Sequence, residues 1–301
     1  MEIVKYLSNG NELNGILSKV NDNDEVVIIC HARLSHKDSR PTVRISEEFN
    51  KNDLNTFRFD FVYCGDSQGE LSDYTVTNMV KNLEDTILLL KEKYGYKNIS
   101  LIGCSMGGRI VSLLDDKKYG VNNIILWYPA LDYGRIGIKG LINLPGKKEL
   151  VAKKQGYYVM ESGKKLSYEF FKDERNYLTY KHLEKKDIPL LFVHGTKDIH
   201  VPCESSIKIS KLCKNSELVL VNGGDHGFHD DNNMAEAVNA TNSFIDKYRK
   251  YPKTIKKYQI KMDEQDKSKI IEDNIDYSMY DLEQQYYSDN EPVEESSIHR
   301  R

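Results

Sequence analysis

Five apolar residues in a row, Val26-Val27-Ile28-Ile29-Cys30, constrain this chain more than any other feature. A strand with water on one face alternates apolar and polar residues. An unbroken run needs cover on both faces, which a parallel sheet flanked by helices supplies. Ile99-Ser100-Leu101-Ile102, Asn123–Tyr128, Pro189–His194 and Glu217–Val221 read as further short strands. Thr56–Val62 alternates, with Phe57, Phe59 and Phe61 on one side, and predicts another. Glu2–Leu7 and Glu12–Val20, around Asn9-Gly10-Asn11, read as a hairpin. Helical spacing marks Val76–Tyr94, with Met79, Leu83, Ile87 and Leu90 on one stripe. A helix is also expected after Pro41 to about Asn50, and over Met106–Leu114, Glu204–Cys213 and Met234–Tyr248. This alternation predicts an α/β fold: a mostly parallel central sheet with helices on both faces.

The 301 residues suit one large domain with an appendage, and a core of that size folds without staples. We read residues 1–249 as the domain. Asp132–Lys186 is longer than an ordinary connection and predicts a small cap insertion. Residues 250–301 form a charged, Tyr-rich tail with few aliphatics, for which disorder is expected. Ile270, Ile271, Ile275 and Leu282 offer a peripheral helix as the alternative, and the tail is a docking segment for a protein partner. The net charge of -3 leaves no basic excess to neutralise phosphates, so nucleic acid is not expected as a partner. No signal-peptide pattern opens the chain, and no apolar run approaches the roughly 20 residues that span a bilayer. Five scattered cysteines without a C-x-x-C pair predict reduced thiols, and with them a cytoplasmic protein.

One segment carries chemistry: Ile102-Gly103-Cys104-Ser105-Met106-Gly107-Gly108. A serine at a sharp turn between strand and helix needs small neighbours, because a Cβ at either flanking glycine would crowd the backbone. The turn lifts the hydroxyl above the sheet, and the following helix aims its N–H groups at an oxyanion. Ser105 is therefore the candidate nucleophile, and Cys104 a packed strand-end residue. A serine hydroxyl needs a base held by a carboxylate. Asp198 follows the strand through Val193-His194-Gly195, and His226 follows Leu218–Val221 in Asn222-Gly223-Gly224-Asp225-His226. Asp225 is the rival acid, but adjacency to His226 makes it a poor orienter. His229 is the rival base. His194 reads as a core histidine or one behind the site, and His200 as a loop residue. His226, His229 and Asp230 mimic a metal cluster without a ligand from a third strand, so no metal and no cofactor is expected. Met106 N–H is the first oxyanion donor, and Ala32 or Arg33 gives the second, from the loop His31-Ala32-Arg33-Leu34. The Arg33 side chain reads as solvated, with contact to an anionic substrate as the alternative.

These stretches resemble the α/β-hydrolase superfamily, and more narrowly its serine aminopeptidase-like and cinnamoyl (feruloyl) esterase-like members. The likeness covers about residues 1–250. It rests on His31-Ala32-Arg33, on Phe59-Asp60-Phe61 leading to Gly65-Asp66-Ser67-Gln68-Gly69, and on Gly103–Gly108. His194-Gly195-Thr196-Lys197-Asp198 and Gly224-Asp225-His226-Gly227 complete it. The resemblance implies the α/β-hydrolase fold and the catalytic residues Ser105, Asp198 and His226, in that order. It also implies an oxyanion hole from the N–H groups of Met106 and Arg33. Such proteins usually carry His-Gly where this chain has His31-Ala32, and Arg-Gly-x-Gly-x-Ser where it has Cys64-Gly65-Asp66-Ser67-Gln68-Gly69. The implied activity is hydrolysis of a small-molecule carboxylic ester. Alternatives are a small-substrate peptidase or amidase, a thioesterase, or an idle scaffold. Tyr157, Tyr158, Tyr168, Phe170, Phe171 and Tyr177 either line an acyl pocket or pack the cap onto the sheet.

Overall fold

All six residues of β3 (Glu25–Cys30) are buried, and their side chains divide between two cores. Val26, Ile28 and Cys30 enter one; Val27 and Ile29 enter the other. This is the period-two alternation of a strand covered on both sides. The computed structural model describes residues 1–131 and 147–249. The expected tail, 250–301, and residues 132–146 of the expected cap lie outside the described residues.

The sheet has eight strands. With β3 they are β1 (Glu2–Ser8), β2 (Asn11–Ser18), β4 (Asn55–Phe59), β5 (Asn98–Cys104), β6 (Val121–Trp127), β9 (Leu190–Gly195) and β10 (Ser216–Val221). Their order is β1-β2-β4-β3-β5-β6-β9-β10. The hairpin β1–β2 pairs antiparallel, as does β2 with β4, and every other pairing is parallel. Helices α1 (Arg40–Lys51) and α9 (Asp231–Tyr248) supply Ile45, Phe49, Met234 and Phe244 to one core. Helices α2 (Val76–Glu92) and α3 (Met106–Leu113) supply Met79, Leu83, Ile110 and Val111 to the other. A short helix, α4 (Asp116–Tyr119), precedes β6. Between β6 and β9 stand α5 (Lys147–Gln155), the antiparallel pair β7 (Tyr157–Val159) and β8 (Lys165–Ser167), α6 (Tyr168–Glu174) and α7 (Thr179–Leu183). Helix α8 (Glu204–Ser210) joins β9 to β10.

Three sequence-based boundaries and one reading of a strand's faces need correction or extension. The strand expected to reach Val62 ends at Phe59. There the Asp60 N–H turns back to the Asn14 carbonyl, and the Phe61 N–H goes to the His31 ring. Nor is β4 one-sided: lying between β2 and β3, all five of its residues are buried. The helix expected to run to Cys213 stops at Ser210. The helix expected from Met234 begins a turn earlier, because Asp230 accepts from the Asn232 and Asn233 N–H groups at 2.9 and 3.1 Å.

The chain leaves the neighbouring strands β3 and β5 in opposite directions, from β3 outward to β4 and from β5 outward to β6. Ligand crevices of α/β sheets form at such a reversal, outside the carboxyl ends of the strands. A buried ionic cluster holds this edge together. Asp60, fully buried, accepts from the Lys37 N–H at 2.5 Å, the Lys37 ammonium at 2.9 Å and the Asp66 N–H at 2.9 Å. Lys37 also meets Asp66, and Arg58 meets Asp38. The cluster joins the loop after β3 to the end of β4 and the turn at Gly65. Removing one partner of a buried pair strands the other's charge. Lys37→Met is therefore expected to destabilise the protein by about 3–5 kcal/mol, read as a lowered urea midpoint at unchanged slope. An unchanged midpoint would show that the cluster contributes nothing to stability.

Candidate active site

Ser105 joins β5 to α3 with φ 52° and ψ -110°, a backbone conformation rare for a residue with a side chain. Neighbouring backbone holds it there. Its N–H donates to the Trp127 carbonyl at 2.9 Å, and its carbonyl accepts from Ala130 at 2.9 Å and Arg109 at 3.2 Å. A Cβ on Gly103 would run into the backbone of Gly107, and one on Gly107 into the Cys30 and His31 carbonyls. Both glycines of the motif are thus required by close approach, and the second brings the loop after β3 against the start of α3.

The structure brings the three expected side chains together from three strand ends. His226 Nε2 lies 3.1 Å from Ser105 Oγ, and His226 Nδ1 lies 2.6 Å from Asp198 Oδ2. With Nδ1–H donating to the carboxylate, Nε2 is left to accept the serine proton. The His226 ring stands edge-on to Tyr128, centroids 4.8 Å apart, and to His200 at 5.5 Å. Tyr128 is buried at the end of β6 with φ 35°, and nothing in the sequence marks it for this place.

Asp198 is enclosed by donors. Its Oδ1 accepts from the His200 and Val201 N–H groups at 2.9 and 2.8 Å, and its Oδ2 also lies 3.2 Å from His194 Nε2. Burial by itself would raise its pKa. Hydrogen bonds from His194, His226 and the Val201 N–H outweigh that, and hold the carboxyl well below the usual carboxylate range. His194, expected behind the site, is fully buried, with Nδ1 2.7 Å from the Ser206 hydroxyl and Nε2 2.8 Å from the Val201 carbonyl. Both neighbours of its Nε2 are acceptors, which assigns the proton to that nitrogen. The rivals fall elsewhere: Asp225 and His229 pair with each other at 2.9 Å, exposed to solvent.

Helix α3 has no side-chain cap, so its first N–H groups, Met106 foremost, are open to a ligand. In the loop after β3, Leu34 donates to the Tyr74 hydroxyl at 2.9 Å and Ser35 to the Ala32 carbonyl at 3.0 Å. No such partner holds the N–H of Ala32 or of Arg33 among the described residues. His31 shapes this loop: its Nε2 accepts from Phe61 N–H at 3.1 Å and its Nδ1–H donates to the Ala32 carbonyl at 2.7 Å. Burial pushes its pKa down to about 4, so it is neutral near pH 7. The Arg33 side chain, expected to be solvated, is half-buried. Its guanidinium lies over the Phe170 ring at 5.7 Å and its Nε is buried. Among the aromatics between β6 and β9, Phe170 is fully buried and stacks on Tyr74 at 5.7 Å, so it packs this segment down. No group of three or more His, Cys, Asp or Glu among the described residues is placed to hold a metal ion.

Residues 25–124 match the family model of the α/β-hydrolase fold, and residues 150–251 match that of the prolyl oligopeptidase family. No curated protein matches the chain. Among solved structures, Est1E from Butyrivibrio proteoclasticus with ferulic acid bound is similar at a TM-score of 0.69 and 23% identity, over 81% of this chain and 98% of that one. Alpha/beta hydrolase domain-containing protein 10 from mouse is similar at 0.65 and 20%, over 82% and 99%. The Pyrococcus furiosus esterase Pf2001 is similar at 0.61 and 20%, over 82% and 92%.

Folding lowers the Asp198 pKa. Its contribution to stability is complete above the ordinary value of about 4 and is lost as pH falls through the depressed one. Between pH 7 and pH 3 the wild type is expected to lose more stability than Asp198→Asn. Parallel urea midpoints for the two proteins across that range would contradict this.

Proposed function

We propose that this protein, which has the α/β-hydrolase fold, is a serine hydrolase that cleaves small carboxylic esters through an acyl-enzyme. The observation that carries the reading is the hydrogen-bonded chain Ser105–His226–Asp198 at the carboxyl edge of the sheet. His226 Nε2 takes the Ser105 proton as Oγ attacks the ester carbonyl. Asp198 stays ionised, keeps Nδ1–H in place and stabilises the imidazolium. The oxyanion is held by the N–H groups of Met106 and Arg33, with Ala32 as the neighbouring alternative to Arg33. His226 then protonates the departing alcohol and activates the water that releases the acid. No step calls for a cofactor.

Ester cleavage is favoured because Est1E is described with ferulic acid bound and Pf2001 is described as an esterase. The match of residues 150–251 to the prolyl oligopeptidase family supports a second reading, cleavage of small peptides or amides. The segment between β6 and β9 is read as a cap in either case. All five cysteines are free, in keeping with action in a reducing, cytoplasmic setting. Among the described residues no helix is long and apolar enough to cross a membrane.

Ser105→Ala is expected to lower kcat on p-nitrophenyl acetate by several orders of magnitude. A fluorophosphonate should label Ser105, and His226→Ala should abolish the labelling. Esterase activity surviving Ser105→Ala would refute the assignment. His194 should act through Asp198. His194→Phe removes the donor to Oδ2 and is expected to cut kcat about tenfold or more with KM little changed. His194→Gln, which keeps an N–H donor, should restore most of it. Equal losses in both variants would mean that His194 only fills space.

A further inference from the structure

We propose that the site takes an acyl group bearing its own carboxylate, bound by the Arg33 guanidinium. This rests on the serine-hydrolase reading and adds a substrate class to it: monoesters of short dicarboxylic acids.

Arg33, half-buried, differs from the paired cations around it. Lys37 meets Asp60, Arg58 meets Asp38, and Lys186 meets Asp116 and the Leu114 carbonyl. The Arg33 Nε is buried without a hydrogen-bond partner, as are those of Arg58 and Arg109, but where their other nitrogens meet a carboxylate or carbonyl, no such group of the described residues reaches the Arg33 guanidinium. What it has is a ring face, Phe170 at 5.7 Å. That contact favours the cation but leaves the buried Nε–H without an acceptor and the terminal N–H groups without a protein partner among the described residues. A buried donor without an acceptor costs free energy, so the arrangement suits an oxygen anion that arrives with the substrate.

The place is right for this. Packing of Gly107 against the Cys30 and His31 carbonyls fixes the loop beside the start of α3, and hence beside Ser105. Arg33 offers its N–H to the proposed oxyanion hole, so its guanidinium stands within one side-chain length of the bound carbonyl. A succinyl or glutaryl group spans that distance. Lys164, whose ammonium meets the Leu34 carbonyl, places a second cation on the same loop. Residues 147–186 hold eleven Lys or Arg against six Asp or Glu, in a chain whose net charge is -3. This segment meets the loop at Lys164 and Phe170, and its excess of positive charge draws anions toward it.

The test uses two covalent probes of equal chain length, an alkyl fluorophosphonate and its ω-carboxyalkyl counterpart. The second-order rate of Ser105 labelling is followed by intact-protein mass. The carboxylate probe is expected to react about tenfold faster, the effect of one charge-assisted hydrogen bond. Arg33→Met should bring the ratio of the two rates to about one, and Arg33→Lys should keep it above one. The ratio is read because damage to the loop slows both probes alike. If Arg33 only staples that segment to the loop, both rates fall and their ratio stays. A wild-type ratio at or below one, or one unchanged in Arg33→Met, overturns the proposal while leaving the nucleophile in place. Labelling by neither probe, or labelling that survives Ser105→Ala, overturns the serine-hydrolase reading and this proposal with it.

Discussion

The geometry of the site hangs on the left-handed backbone of Ser105. A conformation of this kind costs about 1–3 kcal/mol and persists only where its surroundings over-determine it. Here they do: Trp127, Ala130 and Arg109 hold the serine's own peptide groups, and Gly103 and Gly107 let strand, helix and the loop after β3 approach to van der Waals contact. The strain has a geometric return. It turns the hydroxyl out of the sheet toward His226, and leaves the first N–H groups of α3 uncapped where an oxyanion would form.

Two buried carboxylates organise the rest of this edge, by the same means and to different ends. Asp60 gathers Lys37 and two backbone N–H groups, and so fixes the path of the loop that carries Arg33. Asp198 gathers two backbone N–H groups and two imidazoles, and so fixes the ring of His226. In each case donors replace the water that burial removed. Arg33 is the counterpart left without such compensation, and this asymmetry separates a group that builds the site from one that awaits a ligand.

Much of the fold was legible along the chain because its signals are local. The apolar run Val26–Cys30 needs two covered faces, the stripe on Val76–Tyr94 needs one, and Gly103-x-Ser105-x-Gly107 needs a tight strand-to-helix turn. Asp198 and His226 were legible as residues just past strand ends. Distances between strands were not, since β3, β5, β9 and β10 meet only through the sheet order. The end of β4 at Phe59 was hidden for the same reason: it is set by Asn14 and His31, both far away in sequence.

The sequence by itself determined the parallel α/β architecture, the candidate nucleophile and the order of its partners, because these rest on periodicity and on short-range turn chemistry. Only the tertiary structure decided between His226 and its rival His229, and set His194 against Asp198. It also turned Tyr128 onto the His226 ring, and laid the Arg33 guanidinium over Phe170. Each of these choices is a contact between segments far apart along the chain, and a side chain's environment is fixed by packing rather than by its neighbours in sequence.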